Sequence, residues 1–311
     1  MQIFDDLSKV KWDKNTVVTI GTFDGVHLGH KKIIDKVIEK ASAFKGRSFL
    51  ITFHPHPRKI ITGGDGIKLL STTAEKAKIM AEYGIDNLLI INFTKEFSQL
   101  TSDEFLKRYI IDGIGVSEII IGYDHHFGKG RGGNETTLRE IGKESGFDVT
   151  SVGEVKIEDI TISSSKIRKN LDAGNIGKVT SALGRYYSFS GEVVEGDKRG
   201  RTLGFPTANI KPDDPDKMLP ALGIYLVEFF VKNEKHHGLL SVGKRPTFYN
   251  SGSITPEVYI YNFNRDIYFE NVTVNVIEKL RDEEKFSSVE ELIYQMNIDK
   301  QNGLEMIRSL A

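Results

Sequence analysis

Apolar positions in the first half of the chain fall into two alternating kinds of run. The short β-rich ones are VVTI (17–20), SFLITF (48–53), LLIINF (88–93), EIIIG (118–122) and DVTSV (148–152). Several lack the polar alternation of a half-exposed strand. They predict strands buried on both faces, as in a parallel sheet covered by helices. Between them apolar residues recur at helical spacing. Ile33, Ile34, Val37, Ile38 and Ala41 make one stripe. STTAEKAKIMAEYG (71–84) opens on Ser/Thr caps and stops at Gly84, and TSDEFLKRYII (101–111) and ETTLREIGKESG (135–146) supply two more helical patterns. Strand and helix in alternation predict a doubly wound, Rossmann-like α/β domain, whose ligand lies beyond the C-terminal ends of its strands.

The pattern changes near Gly184. YSFSGEVVEG (187–196), GIYLVEFFVK (223–232), HGLLSVG (237–243), EVYIYNF (257–263) and IYFENVTVNVIEKL (267–280) alternate apolar with polar residues, and turn residues separate them. Such runs predict an antiparallel, barrel-like β domain. Residues 287–310 return to a helical pattern. The expected division is therefore 1–184 for the α/β domain and 185–311 for the β-barrel with its terminal helices.

Composition narrows the chemistry. The 311 residues are 39% hydrophobic and 27% charged with a formal net charge of -1, so the basic excess of a dedicated nucleic-acid binder is missing. The chain has no cysteine, which removes disulfides, thiolate metal sites and cysteine nucleophiles. No apolar run nears the roughly 20 residues that span a bilayer, and MQIFDDLSKVKW at the start lacks the apolar core of a secretion signal. A cytoplasmic protein without membrane or nucleic-acid partners is expected, as a monomer or weak homo-oligomer.

Residues 21–30, GTFDGVHLGH, follow the first strand. Gly21 permits a sharp turn, and the next helix is expected from Leu28 or Gly29. His27 and His30 then share a face of that helix. At a helix N-terminus they join free backbone N–H groups and the positive end of the dipole, a donor set that suits phosphate. SSSKIR (163–168) offers hydroxyls, capped N–H groups and two cations, a set able to neutralise departing phosphates. Alone it also reads as a plain cap with solvated basic residues. FHPHP (53–57) reads alone as a rigid surface turn.

GEVVEGDKRGRTLGFPTANI (191–210) runs from a strand through a basic, glycine-rich turn, whose backbone N–H groups can cradle phosphate. Alternation places Thr207 and Asn209 on one side of an extended chain, where both offer oxygens to Mg²⁺. The competing reading is an ordinary hairpin loop with a solvated tip.

Together these segments resemble the bacterial bifunctional riboflavin kinase/FMN adenylyltransferases, the FAD synthetase family. GTFDGVHLGH looks like the HxGH signature of nucleotidyltransferases. FHPHP, IGYDHHFGKGRGG (121–133) and ISSSKIR (162–168) resemble the family's next three motifs. The resemblance implies catalytic His27 and His30. It implies ATP and phosphate contacts from Gly21, Phe23, Asp24, Gly29, Ser163, Ser164, Ser165 and Arg168. His56, Asp124 and Phe127 would face flavin or nucleotide. In the second half, residues 191–210, SVGKRPTF (241–248), PEVYIYNF (256–263) and LRDEEKF (280–286) resemble riboflavin kinase motifs. That implies a phosphate and flavin loop with Gly196, Lys198, Gly200, Arg201, Gly204 and Pro206, Mg²⁺ at Thr207 and Asn209, and Glu257 as the base. ATP, riboflavin, FMN and FAD are the implied substrates and products. The chain departs from the family pattern at His125, Ser241, Asn262 and YFEN (268–271). Two other readings stand beside this one: an adenylyltransferase with a silent barrel, and a non-enzymatic flavin-sensing or RNA-binding regulator.

Overall fold

A computed structural model describes residues 1–63, 66–196, 200, 203–244 and 254–310. The chain divides into two compact units, Met1–Ser163 and Ser164–Ala311.

In the first unit the five short β-rich runs become strands of a six-stranded sheet. They are β2 (Thr16–Ile20), β3 (Arg47–His54), β4 (Asn87–Asn92), β5 (Glu118–Gly122) and β6 (Asp148–Val152). A three-residue β1 (Gln2–Phe4), too short to leave a pattern, completes the sheet. The order is β1-β4-β3-β2-β5-β6 and every pairing is parallel. All five residues of β2 are buried, as a strand covered on both faces requires.

The connections are helical. They are α1 (Leu28–Ala43), the short α2 (Pro57–Ile61), α3 (Thr73–Glu82), α4 (Ser102–Phe105) and α5 (Glu135–Ser145). A π-helical stretch, Leu106–Ile114, continues α4. Alternate strand residues feed two separate cores. Val17, Leu50, Leu88 and Ile120 pack with Ile34 and Val37 of α1 and Met80 of α3. Val18, Ile20, Phe49, Ile51, Leu89 and Ile119 pack with Leu106, Ile110 and Leu138 on the other face. From β2 the chain winds one way to β3 and β4, then returns to β5 and β6 on the other side. The crevice at such a reversal is where doubly wound sheets bind ligands, and residues 21–27 leave the end of β2 there.

The second unit opens with α6 (Ser164–Asp172) and α7 (Ile176–Leu183). The strands β9 (Tyr187–Val194), β10 (Thr207–Pro212), β11 (Gly223–Val231), β12 (Glu234–Lys244), β13 (Ile254–Ile260) and β14 (Asn271–Arg281) then form a closed antiparallel barrel, ordered β10-β13-β12-β11-β14-β9. A two-stranded ribbon in the first unit, Lys156–Ile157 with Ile160–Thr161, takes the labels β7 and β8. Alternation in the barrel strands buries one set of side chains completely, among them Phe189, Tyr225, Phe229, Leu240, Val258 and Val274. Among the described residues five of the six ladders run in unbroken register; β11·β14 carries irregularities between Ile224 and Tyr225 and between Leu226 and Val227.

After β14 a single helix, α8 (Val289–Leu310), lies on the barrel. Leu304, Met306 and Ile307 pack on Leu226, Leu239, Tyr261 and Ile277. The Arg281 guanidinium donates to both carboxylate oxygens of the buried Asp299, closest at 2.8 Å. The change of pattern near Gly184 falls where α7 gives way to β9. The compact units meet 21 residues earlier, because α6 and α7 pair with each other and α7 packs on β9 and β14.

Candidate functional site

Residues 21–30 form a tight turn followed by the first turn of α1. The turn is strained: Phe23 and Val26, both buried, sit at φ of 46° and 41°. Left-handed backbone costs a side-chain-bearing residue about 1–3 kcal/mol, and persists only where the surroundings enforce it. Asp24 provides much of that enforcement. Its buried carboxylate accepts the N–H groups of Leu70 (3.2 Å) and Ser71 (3.1 Å), and the Gly25 N–H reaches Ser71 Oγ at 2.9 Å. Asp24 thus ties the turn to the segment that leads into α3.

His27 caps α1: its Nδ1 accepts the His30 N–H at 3.3 Å. An imidazole that accepts at Nδ1 holds its proton on Nε2. The His30 ring stacks on His27, with centroids 3.7 Å apart and planes 15° apart, and meets Phe23 edge-on at 5.1 Å. The pair is therefore a single rigid block at the mouth of a 16-residue helix. Gly29 makes room for it, since a Cβ there would lie 3.1 Å from two atoms of the His27 ring. The block, the N–H groups of Leu28 and Gly29 and the dipole converge on the kind of place that holds an anion.

The other expected residues of this unit are placed as follows. Gly21 packs under Phe23, with 3.0 Å from a Cβ to that ring. His56 caps α2, its Nδ1 accepting the Arg58 N–H at 3.2 Å, and the neighbouring His54 is joined to Thr73 Oγ1 at 3.0 Å. Asp124 is exposed. Phe127 is buried in the core beside Phe105 and pairs by backbone with Gly133. His125, the departure from the family pattern, is half-buried and stacks on Phe127 at 5.7 Å. The SSSKIR motif straddles the two units. Ser163 ends the first, and Ser164, Ser165 and Arg168 lie in the first turns of α6 in the second.

One buried polar residue near the turn was not singled out from the sequence. Lys76 of α3 is 5% exposed and donates to the Thr22 carbonyl and to Thr52 Oγ1. Its spacing from Ile79 and Met80 is the available signal, since it puts a lysine on the apolar face of its helix.

In the barrel the strand ladders assemble a second site. Asn209 of β10 stands opposite Glu257 of β13, and Ser241 of β12 stands opposite Glu257 on the other side. Residues paired directly across a sheet share a face. Thr207, two residues before Asn209, shares it too, and its hydroxyl donates to Glu257 Oε2 at 3.2 Å. Asn209 is buried, while Glu257 and Thr207 are half-buried. Thr207, Asn209 and Glu257 thus form one cluster of hard oxygen donors. Gly196 leaves it open: a Cβ there would stand 2.2 Å from the Asn209 amide nitrogen. Among the remaining loop residues, the Leu203 and Phe205 N–H groups bond the Gly200 carbonyl at 3.1 and 2.8 Å, and Gly204 and Pro206 are exposed. Lys198 and Arg201 lie outside the described residues, as do residues 245–248 of the SVGKRPTF segment. Asn262 follows β13 at φ 52°, and Phe269 of YFEN is exposed.

Comparison with known proteins matches each half of the chain to a family of its own. The family model for FAD synthetase matches residues 9–166, and that for riboflavin kinase matches residues 183–307. The bifunctional riboflavin kinase/FMN adenylyltransferase of Listeria monocytogenes is 36% identical over 291 residues, 93% of this chain and 92% of its own. The protein of the same name in Bacillus subtilis is 34% identical over 300 residues, 95% and 93% of the two chains. A solved chain described as a macrolide-efflux protein from Streptococcus pneumoniae superposes with a TM-score of 0.86 at 30% identity, over 96% of this chain and 97% of its own. Among the described residues of this chain no helix is long and apolar enough to cross a membrane. A match to each family in turn, over both halves, sets aside the silent barrel and the non-enzymatic regulator.

Proposed function

The chain belongs to the bifunctional riboflavin kinase/FMN adenylyltransferase family, and from that premise we propose how its residues divide the two reactions. It phosphorylates riboflavin to FMN and adenylylates FMN to FAD. The observation that carries the residue assignment is the Thr207–Asn209–Glu257 cluster on one face of the barrel.

In phosphorylation Glu257 takes the proton of the terminal ribityl hydroxyl. That oxygen attacks the γ-phosphorus of ATP, the bond to the bridging oxygen breaks, and ADP leaves. Thr207 keeps Glu257 oriented through its hydroxyl hydrogen while its oxygen lone pairs stay available. Thr207 and Asn209 are hard oxygen donors of the kind Mg²⁺ takes, in a space that a Cβ at Gly196 would fill. They are the residues that would hold it. Bound there, Mg²⁺ supplies positive charge to the transferring phosphates.

In adenylylation the FMN phosphate attacks the α-phosphorus of ATP, and pyrophosphate leaves. A phosphomonoester with a second pKa of ≈ 6 is already ionised near neutrality, so no base is required. What the reaction needs is positioning and donors for the charge that builds on oxygen. The His27–His30 block and the N–H groups of α1 provide donors. Ser163, Ser164, Ser165 and Arg168 are assigned to the departing pyrophosphate on their motif.

The test is one incubation of purified protein with riboflavin, ATP and Mg²⁺, with FMN and FAD resolved by chromatography. FMN should appear first and FAD after it, and chelation of Mg²⁺ should stop FMN formation. A folded protein that turns added FMN into FAD but makes no FMN from riboflavin would end the kinase assignment. A finer probe is Gly196→Ala. Crowding the Asn209 amide should slow riboflavin phosphorylation about tenfold, within the ~1–3 kcal/mol typical of overpacking. The same variant should leave steady-state FMN adenylylation unchanged.

A further inference from the structure

A lysine wholly inside a protein is costly unless something compensates it. Lys76 has no packing reason to be ionisable, since an apolar side chain of similar volume would fill its place on α3 beside Ile79 and Met80 without that cost. Its partners all belong to the active-site turn or to the strand beneath it. Nζ donates to the Thr22 carbonyl at 2.5 Å and to Thr52 Oγ1 at 3.1 Å, and Thr52 Oγ1 in turn donates to the same carbonyl at 3.2 Å. Thr22 is the neighbour of the strained Phe23 and lies two residues before Asp24.

We propose that Lys76 is a positioning residue for adenylyl transfer, its ammonium pinning the Thr22–Gly25 turn to β3 so that His27 and His30 are presented correctly. This rests on the assignment of that reaction to residues 21–30. The holds on the turn include a buried cation at Thr22 and a buried anion at Asp24, besides the Gly25 N–H bonded to Ser71 Oγ. A charged donor bonds a carbonyl more strongly than a neutral one, so the first hold weakens when the ammonium loses its proton. Burial pushes the Lys76 pKa down to about 8, against an upward pull from Asp24. The other titratable groups on the surrounding elements include Arg47 at the start of β3 and His54 at its end, bonded to Thr73, Glu75, which closes the capping box of α3, Lys78 and Glu82 further along α3, and His27 and His30 beyond the turn.

The experiment uses the full chain and follows FMN adenylylation from neutral to alkaline pH, with riboflavin phosphorylation as the internal control. Wild-type adenylylation should decline as pH rises through about 8. Thr52→Val keeps the branched shape but removes one acceptor from Nζ, so the decline should move to lower pH. Lys76→Met should abolish the decline and reduce kcat about tenfold, short of the ~10²-fold cost of full misplacement, with smaller changes in KM and none in phosphorylation. A Thr52→Val variant with the wild-type pH profile overturns the proposal, as does a folded Lys76→Met with wild-type kcat. If Lys76→Met does not fold, Thr52→Val decides. His30→Ala separates the two levels. If it abolishes adenylylation while both Lys76 and Thr52 variants behave as wild type, only the positioning role falls. If it leaves adenylylation intact, the assignment of residues 21–30 falls, and this proposal with it.

Discussion

Glu257→Gln lowers riboflavin phosphorylation by about 10²–10⁴, the usual contribution of a positioned general base, and leaves FMN adenylylation at the wild-type rate. The asymmetry follows from the nucleophiles. A primary hydroxyl is a poor attacker until its proton is taken, whereas the FMN phosphate enters its reaction already charged. The substitution keeps size and shape and still offers Thr207 a carbonyl oxygen to donate to, so the 3.2 Å contact can survive. What disappears is basicity. Steady-state rates of both reactions on one preparation give the comparison. An unchanged phosphorylation rate would remove Glu257 as the base, and equal loss in both reactions would point to general unfolding.

His30→Ala suppresses FMN adenylylation by about 10²–10³, by analogy with loss of one preorganised donor at an oxyanion site, and spares riboflavin phosphorylation. The cap of α1 should survive the change. His27 accepts from the backbone N–H of residue 30, which alanine retains. The loss is then confined to the imidazole that stacks on His27. FAD formation from added FMN measures it directly, and a folded variant with wild-type FAD synthesis would sink the assignment.

Much of this could be read from the chain alone. Short β-rich runs identified five of the six strands of the parallel sheet, several of them because burial on both faces leaves a continuous apolar mark; β6, partly exposed, reads as an alternating run. β1 is three residues long and left none. The start of α1 at Leu28 followed from two glycines and the stripe behind them. Alternation put Thr207 and Asn209 on one side of β10. That Glu257 stands opposite Asn209, with Ser241 beyond it, depends on ladder register between strands far apart in sequence, and no local pattern encodes that. The role of Gly29 was equally hidden, since it depends on where the His27 ring lies. Phe127 matched a motif, yet its ring is core, and the motif could not distinguish packing from ligand contact. Lys76 resembled one more solvated charge in a helix with several; only its phase relative to Met80 marked it.

The register of the barrel has a consequence for how this half of the chain can drift in evolution. In a closed barrel the strand offsets sum to a fixed shear, so one inserted residue cannot shift a single ladder alone. It must be absorbed as a bulge. The irregular ladder is β11·β14, whereas β12·β13 and β13·β10, which align Ser241, Glu257 and Asn209, run without a break. One wall can thus take up an inserted or deleted residue as a bulge while the opposite wall keeps its register. Lineages can lengthen or shorten the β11·β14 side without turning Glu257 away from Thr207, but a one-residue change inside β13 would reverse the faces of everything beyond it.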